Sequence, residues 1–170
     1  MRVGIVSDSH GHTDTLVRAL EMLSDQGCDA IVHCGDISNR SSVDALGAAA
    51  AETYLVAGNM DRRYHDLADD ARRAGVHFSP RCIEAPLGGG EHMAVTHGHD
   101  GRLLDGLVAG GHFAYVCHGH THKRRDERNG RVRIICPGAL SHPRRPHRAG
   151  LAVLDVDTDE LTFIDLPPGH

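Results

Sequence analysis

Seven residues of this 170-residue chain have types and spacing that could hold metal ions: Asp8, His10, Asp36, Asn59, His97, His120 and His122. Carboxylates and imidazoles are the usual protein ligands of divalent metals, and an Asn carbonyl adds a neutral oxygen. The chain carries 15 histidines, so each has to be judged by its position. Taken singly, the signals have ordinary explanations. A Gly-Asp or Gly-Asn pair is by default a turn or a helix cap, and solvated turn histidines outnumber ligands. The order and the shared placement of the seven shift that balance.

The elements that must position them follow from hydrophobic spacing. Met1 to Val6, Ala30 to Val32 and Thr53 to Ala57 are apolar runs predicting strands. Leu16, Val17, Leu20 and Leu23 predict a helix over 13–26, Ser41 to Ala51 predicts a short Ala-rich helix, and Asp66 to Ala74 another. This alternation is the pattern of βαβ units with parallel strands. Val76 to Phe78, Cys82 to Ala85 and His92 to Thr96 read as shorter strands of a second, more antiparallel sheet. Arg102 to Ala109 predicts a helix and Phe113 to Cys117 a strand. The Asn129-Gly130 turn introduces the strand Val132 to Cys136, and Leu151 to Val156 and Leu161 to Leu166 end the chain as β. Two facing sheets with helices outside would bury these segments. Each candidate ligand then falls just past the carboxyl end of an apolar run, the edge where α/β sheets gather their sites.

Composition bounds the rest. The length and 40% hydrophobic content suit one core, so a single domain over residues 1–170 is expected. Only 4% of residues are aromatic, and the net charge of -5 argues against binding nucleic acid through overall charge. The five cysteines are odd in number and without a C-x-x-C pair, which reads as reduced thiols in a cytoplasmic protein. No signal peptide or run of about 20 apolar residues is present, so no membrane association is expected. A homo-oligomer is left open.

The ordered set D-x-H (Asp8 to His10), G-D (Gly35, Asp36), G-N-x-D (Gly58 to Asp61), H-G-H (His97 to His99) and G-H-x-H (Gly119 to His122) resembles the calcineurin-like metallophosphoesterase superfamily, especially its small bacterial and archaeal phosphodiesterases. The likeness runs from Val3 to about Gly138, and Pro137-Gly138-Ala139-Leu140 is similar to the family's Pro-Gly-Ser turn. The resemblance implies an α/β fold, a four-layer α/β/β/α sandwich of two mixed sheets flanked by helices. It implies two divalent ions, with Mn favoured and Fe, Ni or Zn as alternatives. Asp8, His10, Asp36 and His122 would hold one ion and Asp36, Asn59, His97 and His120 the other. Two ions about 3.5 to 4 Å apart can activate a bridging water as hydroxide, which would attack a small phosphodiester. Asp36, Asn59, Asp61 and His99 are the expected catalytic residues.

One departure matters. Many phosphoprotein phosphatases have Gly-Asn-His-Glu where this chain has Gly58-Asn59-Met60-Asp61. Met60 cannot protonate a leaving group, so His12 or His99 would have to. Asp61 is expected to orient the Asn59 region or a histidine.

Other residues read as structural. His33 lies in a buried-looking strand, and His118 could compete with His120. His65, His77, His92, His112, His142, His147 and His170 lack motif context, and Ser141 to Gly150 reads as a surface loop. Lys123, Arg124 and Arg125 read as charged hairpin surface, with phosphate binding the minor alternative, and Arg144, Arg145 and Arg148 cluster near that loop. A non-catalytic scaffold of the same fold, like the retromer subunit, is the competing function, although no ligand is missing. A nuclease is disfavoured by size, acidity and the lack of aromatic stacking platforms.

Overall fold

The computed structural model describes residues 1–167, so His170 lies outside the described residues. In chain order the elements are β1 (Arg2–Val6), α1 (Thr13–Asp25), β2 (Ala30–His33), α2 (Arg40–Gly47), β3 (Glu52–Val56), a 3-10 turn (Met60–Arg63), α3 (Leu67–Ala74), β4 (His77–Ser79), β5 (Cys82–Gly88), β6 (Glu91–Thr96), α4 (Gly101–Gly110), β7 (Tyr115–Cys117), β8 (Arg124–Asn129), β9 (Val132–Pro137), β10 (Gly150–Asp155) and β11 (Glu160–Asp165). Two mixed sheets result, ordered β11-β10-β1-β2-β3-β4 and β5-β6-β7-β9-β8.

Three hydrophobic layers hold four structural layers together. Leu16, Ala19, Leu20 and Leu23 form the buried stripe of α1, at helical spacing. With Val43 and Leu46 of α2 and Leu67 and Ala71 of α3, that stripe covers one face of the first sheet. Between the sheets lie Val3, Ile5, Val32, Val56, Met93, Val95, Ile135 and Leu154. Leu104, Leu107 and Val108 of α4 cover Ala94, Val116, Val132 and Ile134 on the outer face of the second sheet. β1 and β2 are therefore covered on both faces, which explains their unbroken apolar runs.

Two local expectations need correction, and one strand follows from pairing alone. The second helix ends at Gly47, because Ala48 caps it and the chain then turns into β3, paired with β2 from Ala30↔Glu52 onward. β4 joins the first sheet, parallel to β3 through Tyr54↔His77 and Leu55↔Phe78, as the last strand of the βαβ series. Arg124 to Asn129 forms a full strand without an apolar pattern, held by its antiparallel register with β9. As an edge strand it carries charge at no packing cost.

The carboxyl ends of β1, β2, β3, β6 and β7 share one edge of the sandwich. Backbone bonds lace their exits together: Asp8 N donates to Gly35 O at 3.0 Å, His10 N to Asp36 O at 2.8 Å, and Gly119 N to His97 O at 3.0 Å.

Candidate metal centre

Asp8, His10 and His122 form one tight group, and Asp8, Asp36 and His97 another, each with ligand atoms within 4.8 Å of one another. Asp36 Oδ2 lies 3.4 Å from His97 Nε2 and 3.9 Å from His10 Nδ1, so it faces both groups. Asn59 Oδ1 stands 3.1 Å from His97 Nε2. His120 sits at the rim, exposed, its ring 5.2 Å from that of His97. Its backbone N–H donates to Asp8 Oδ2 at 3.1 Å.

The histidine hydrogen bonds decide which ring nitrogen is free. His97 Nδ1 lies 2.7 Å from Cys34 O, and His122 Nδ1 lies 2.8 Å from His142 O. A carbonyl only accepts, so both Nδ1 atoms donate, and in the neutral rings the Nε2 lone pairs point into the site. Metal-binding histidines are held in this way by outer carbonyls. The lone pair of His122 then confronts a carboxylate oxygen: its Nε2 is 3.2 Å from Asp8 Oδ1, with His10 Nε2 3.3 Å away. Asp8 Oδ1 is buried with no hydrogen-bond donor among the described residues. A cation would satisfy this oxygen and both imidazoles, so the donor set fits a metal.

Electrostatics agree. Burial pushes the Asp8 carboxyl up, but the His122 contact, the His97 charge and the Ser7 hydroxyl outweigh it and hold its pKa below the usual range. Burial pulls His97 down, yet its bond to Asp36 and the charges of Asp36 and Asp8 raise its pKa overall. The Asp8 contact raises His122. Both shifts show that the buried carboxylates favour positive charge beside them, which a bound cation would supply.

The backbone is strained here. Asp8, His10, Asp36, His120 and His122 all have left-handed φ values, between 46° and 66°. Such non-glycine conformations persist only where the surroundings enforce them, and they cluster at functional sites. Two glycines are demanded by close approach: a Cβ on Gly58 would fall 2.0 Å from Asp36 Oδ1, and one on Gly119 would fall 1.9 Å from Ser7 Oγ.

Asp61 is buried and holds the Asp36 loop. Its Oδ2 accepts the backbone N–H groups of Asp36 at 2.9 Å, Gly58 at 2.8 Å and Ile37 at 3.3 Å, and its Oδ1 that of Ser38 at 2.8 Å. It therefore orients the loop that carries Asp36 together with Gly58, the neighbour of Asn59. Met60 is 51% exposed at the site's edge, with its N–H donating to Asp36 Oδ1 at 2.8 Å. His99 is exposed, its ring 5.4 Å from His97 and 6.3 Å from His120.

Sequence reasoning missed three residues. Ser7 Oγ donates to Asp8 Oδ2 at 2.5 Å, and Ser141 donates to Asp8 O through both its N–H and its hydroxyl, each at 3.1 Å. The His142 ring lies 6.0 Å from His10 and 5.7 Å from His12, and its φ of 52° is also left-handed. The stretch 141–150 is thus a loop whose start packs into the site. The only signal was its place directly after Pro137-Gly138-Ala139-Leu140. His33 is fully buried between Ser9 Oγ and Gly35 N, and burial pushes its pKa down to about 4. His118 is buried with Nδ1 3.0 Å from Gly119 O, outside both ligand groups. Arg124 and Arg125 are engaged by Asp165 at 2.6 Å and Glu127 at 2.8 Å.

A model of the calcineurin-like phosphoesterase superfamily domain matches residues 1–159. Phosphodiesterase MJ0936 of Methanocaldococcus jannaschii is 27% identical over 141 residues, 81% of this chain and 83% of that protein. Phosphodiesterase YfcE of Escherichia coli K12 is 27% identical over 176 residues, 92% of this chain and 89% of that protein. The solved structure of an archaeal phosphodiesterase superposes with a TM-score of 0.85 at 25% identity, covering 98% of this chain and 100% of that one.

Proposed function

The chain belongs to the calcineurin-like phosphoesterase superfamily, and from that premise we propose that it is a phosphodiesterase, one domain over residues 1–170, that hydrolyses small phosphodiesters with two divalent ions. The observation that carries this reading is the buried Asp8 Oδ1, which has no donor and faces His122 Nε2 at 3.2 Å. The relatives named as phosphodiesterases give the reaction class. Asp8, His10, Asp36 and His122 hold one ion, and Asp36, Asn59, His97 and His120 hold the other, Mn being favoured. The ions supply Lewis acidity toward the phosphoryl oxygens and lower the pKa of a water nucleophile.

The protein's own residues then do three things. Cys34 O and His142 O fix the tautomers of His97 and His122. Asp61 holds the Asp36 loop rigid through its backbone amides. Met60 has no proton to give, so we assign the contact with the leaving oxygen to His99, exposed on the cleft side of His97. No helix among the described residues is long and apolar enough to cross a membrane, and we place the enzyme in the cytoplasm.

The test is elemental analysis of the purified protein joined to a screen of chromogenic phosphoesters with and without added Mn, Fe, Ni and Zn. Metal-dependent turnover favouring diesters over monoesters is the expected outcome. Preference for monoesters would overturn the substrate class.

A further inference from the structure

A cleft of about 960 Å³ opens beside the metal centre, between the Met60–Arg63 turn and the start of α4. It adjoins the site: Gly58 and Thr96, which line it, immediately precede Asn59 and His97, and His99 on its wall has its ring 5.4 Å from that of His97. Three guanidinium groups, those of Arg62, Arg81 and Arg102, line the same space. Three acids, Asp61, Asp100 and Asp105, line it as well.

The acids of the cleft are largely spent. Asp100 pairs with Arg81 at 2.9 Å and caps α4 by accepting the Leu103 N–H at 3.2 Å. Asp61 is turned inward onto backbone amides. Asp105 is exposed and forms no ion pair among the described residues. Arg62 and Arg102 are both exposed and form no ion pair among the described residues. Planar guanidiniums grip carboxylates and phosphates with paired hydrogen bonds.

Resting on the phosphodiesterase reading, we propose that this cleft receives one arm of the substrate and that Arg62 and Arg102 bind an anionic group on that arm, a carboxylate or a second phosphate. The preferred substrates are then phosphodiesters that carry a further negative charge beyond the scissile phosphate. Diesters with neutral or cationic arms are poor substrates by comparison.

The test compares p-nitrophenyl diesters that differ only in the second arm: phenyl, 4-carboxyphenyl, 4-phosphonophenyl and choline. The carboxylate or phosphonate ester should exceed the phenyl ester in kcat/KM by about tenfold, the range of charge-assisted hydrogen bonding. Whichever anion ranks higher names the natural group. The ratio of anionic to neutral kcat/KM should fall to about one in Arg62→Ala/Arg102→Ala and below one in Arg62→Glu/Arg102→Glu. Because the readout is a ratio within each variant, a general loss of folding or activity cancels. Turnover of the phenyl ester with no anionic preference, or best turnover of the choline ester, overturns this inference alone. Failure to hydrolyse any of the four esters overturns the phosphodiesterase reading and this inference with it.

Discussion

The Asp61 carboxylate accepts the backbone N–H of Asp36 at 2.9 Å, and the same group takes the amides of Ile37, Ser38 and Gly58. One buried side chain thus fixes the loop after β2 to the loop after β3. Any geometry that Asp36 would offer a metal therefore depends on Asp61, whose carboxylate is turned onto backbone amides.

Asp61→Asn keeps the shape but replaces an acceptor oxygen with an NH2 group that confronts backbone N–H donors. Metal affinity should fall about 10- to 100-fold, the usual effect of losing an outer partner of a metal ligand. Competition with a chromogenic chelator measures this. Unchanged affinity in a folded Asp61→Asn protein would refute the positioning role.

Gly58→Ala should damage the site through sterics alone. Its Cβ would lie 2.0 Å from Asp36 Oδ1 and 2.5 Å from Asp36 N, so the Asp36 loop must shift. We expect a stability loss of about 1 to 3 kcal/mol, typical of overpacking, together with loss of metal binding. Thermal denaturation with and without metal separates the two effects.

His142→Ala leaves the backbone carbonyl that holds His122 Nδ1 in place. Metal stoichiometry should therefore persist, while kcat/KM falls roughly fivefold, the worth of about one hydrogen bond that the ring, 6.0 Å from that of His10, would offer a substrate. Elemental analysis beside steady-state kinetics distinguishes this from a ligand role, which would remove metal as well.

Far from the site, Arg133 is bound by both oxygens of Asp126, at 2.7 and 2.8 Å, and by Asp159 Oδ1 at 2.7 Å. The Arg133 bond holds the Asp126 pKa below its usual value. A depressed carboxylate stabilises the fold above its unfolded pKa, near 3.9, and that contribution fades as pH falls through the folded value. The Tm gap between wild type and Asp126→Asn should accordingly be open at pH 7 and close as pH drops below about 4. A gap that widens on acidification would contradict the linkage.

The apolar runs of β1 to β3 and the helical stripe of α1 were legible because burial on both faces, or on one stripe, leaves a periodicity in the sequence. β8 was not, since RRDERN has no apolar pattern and owes its strand to pairing with β9. His10, Asp36 and His97 could be read from glycine-flanked positions after strands, and Asp8 from its place two residues past the end of β1. Ser141 and His142 could not, because a loop reaches the site only through tertiary contacts such as Ser141 N to Asp8 O. The hold of Asp61 on Asp36 was likewise hidden, as backbone N–H donors leave no trace in residue type.

Asp36 is the residue on which the account turns, since its Oδ2 faces His97 and His10 at once. The most direct measurement is Mn-dependent hydrolysis of bis(p-nitrophenyl) phosphate by chelator-treated wild type and Asp36→Ala, with bound metal counted in parallel. The account predicts that wild type recovers turnover as it takes up two ions per chain, and that Asp36→Ala neither binds metal stoichiometrically nor turns over. Full activity in Asp36→Ala, or stoichiometric metal in wild type without turnover of any phosphoester tried, would contradict it.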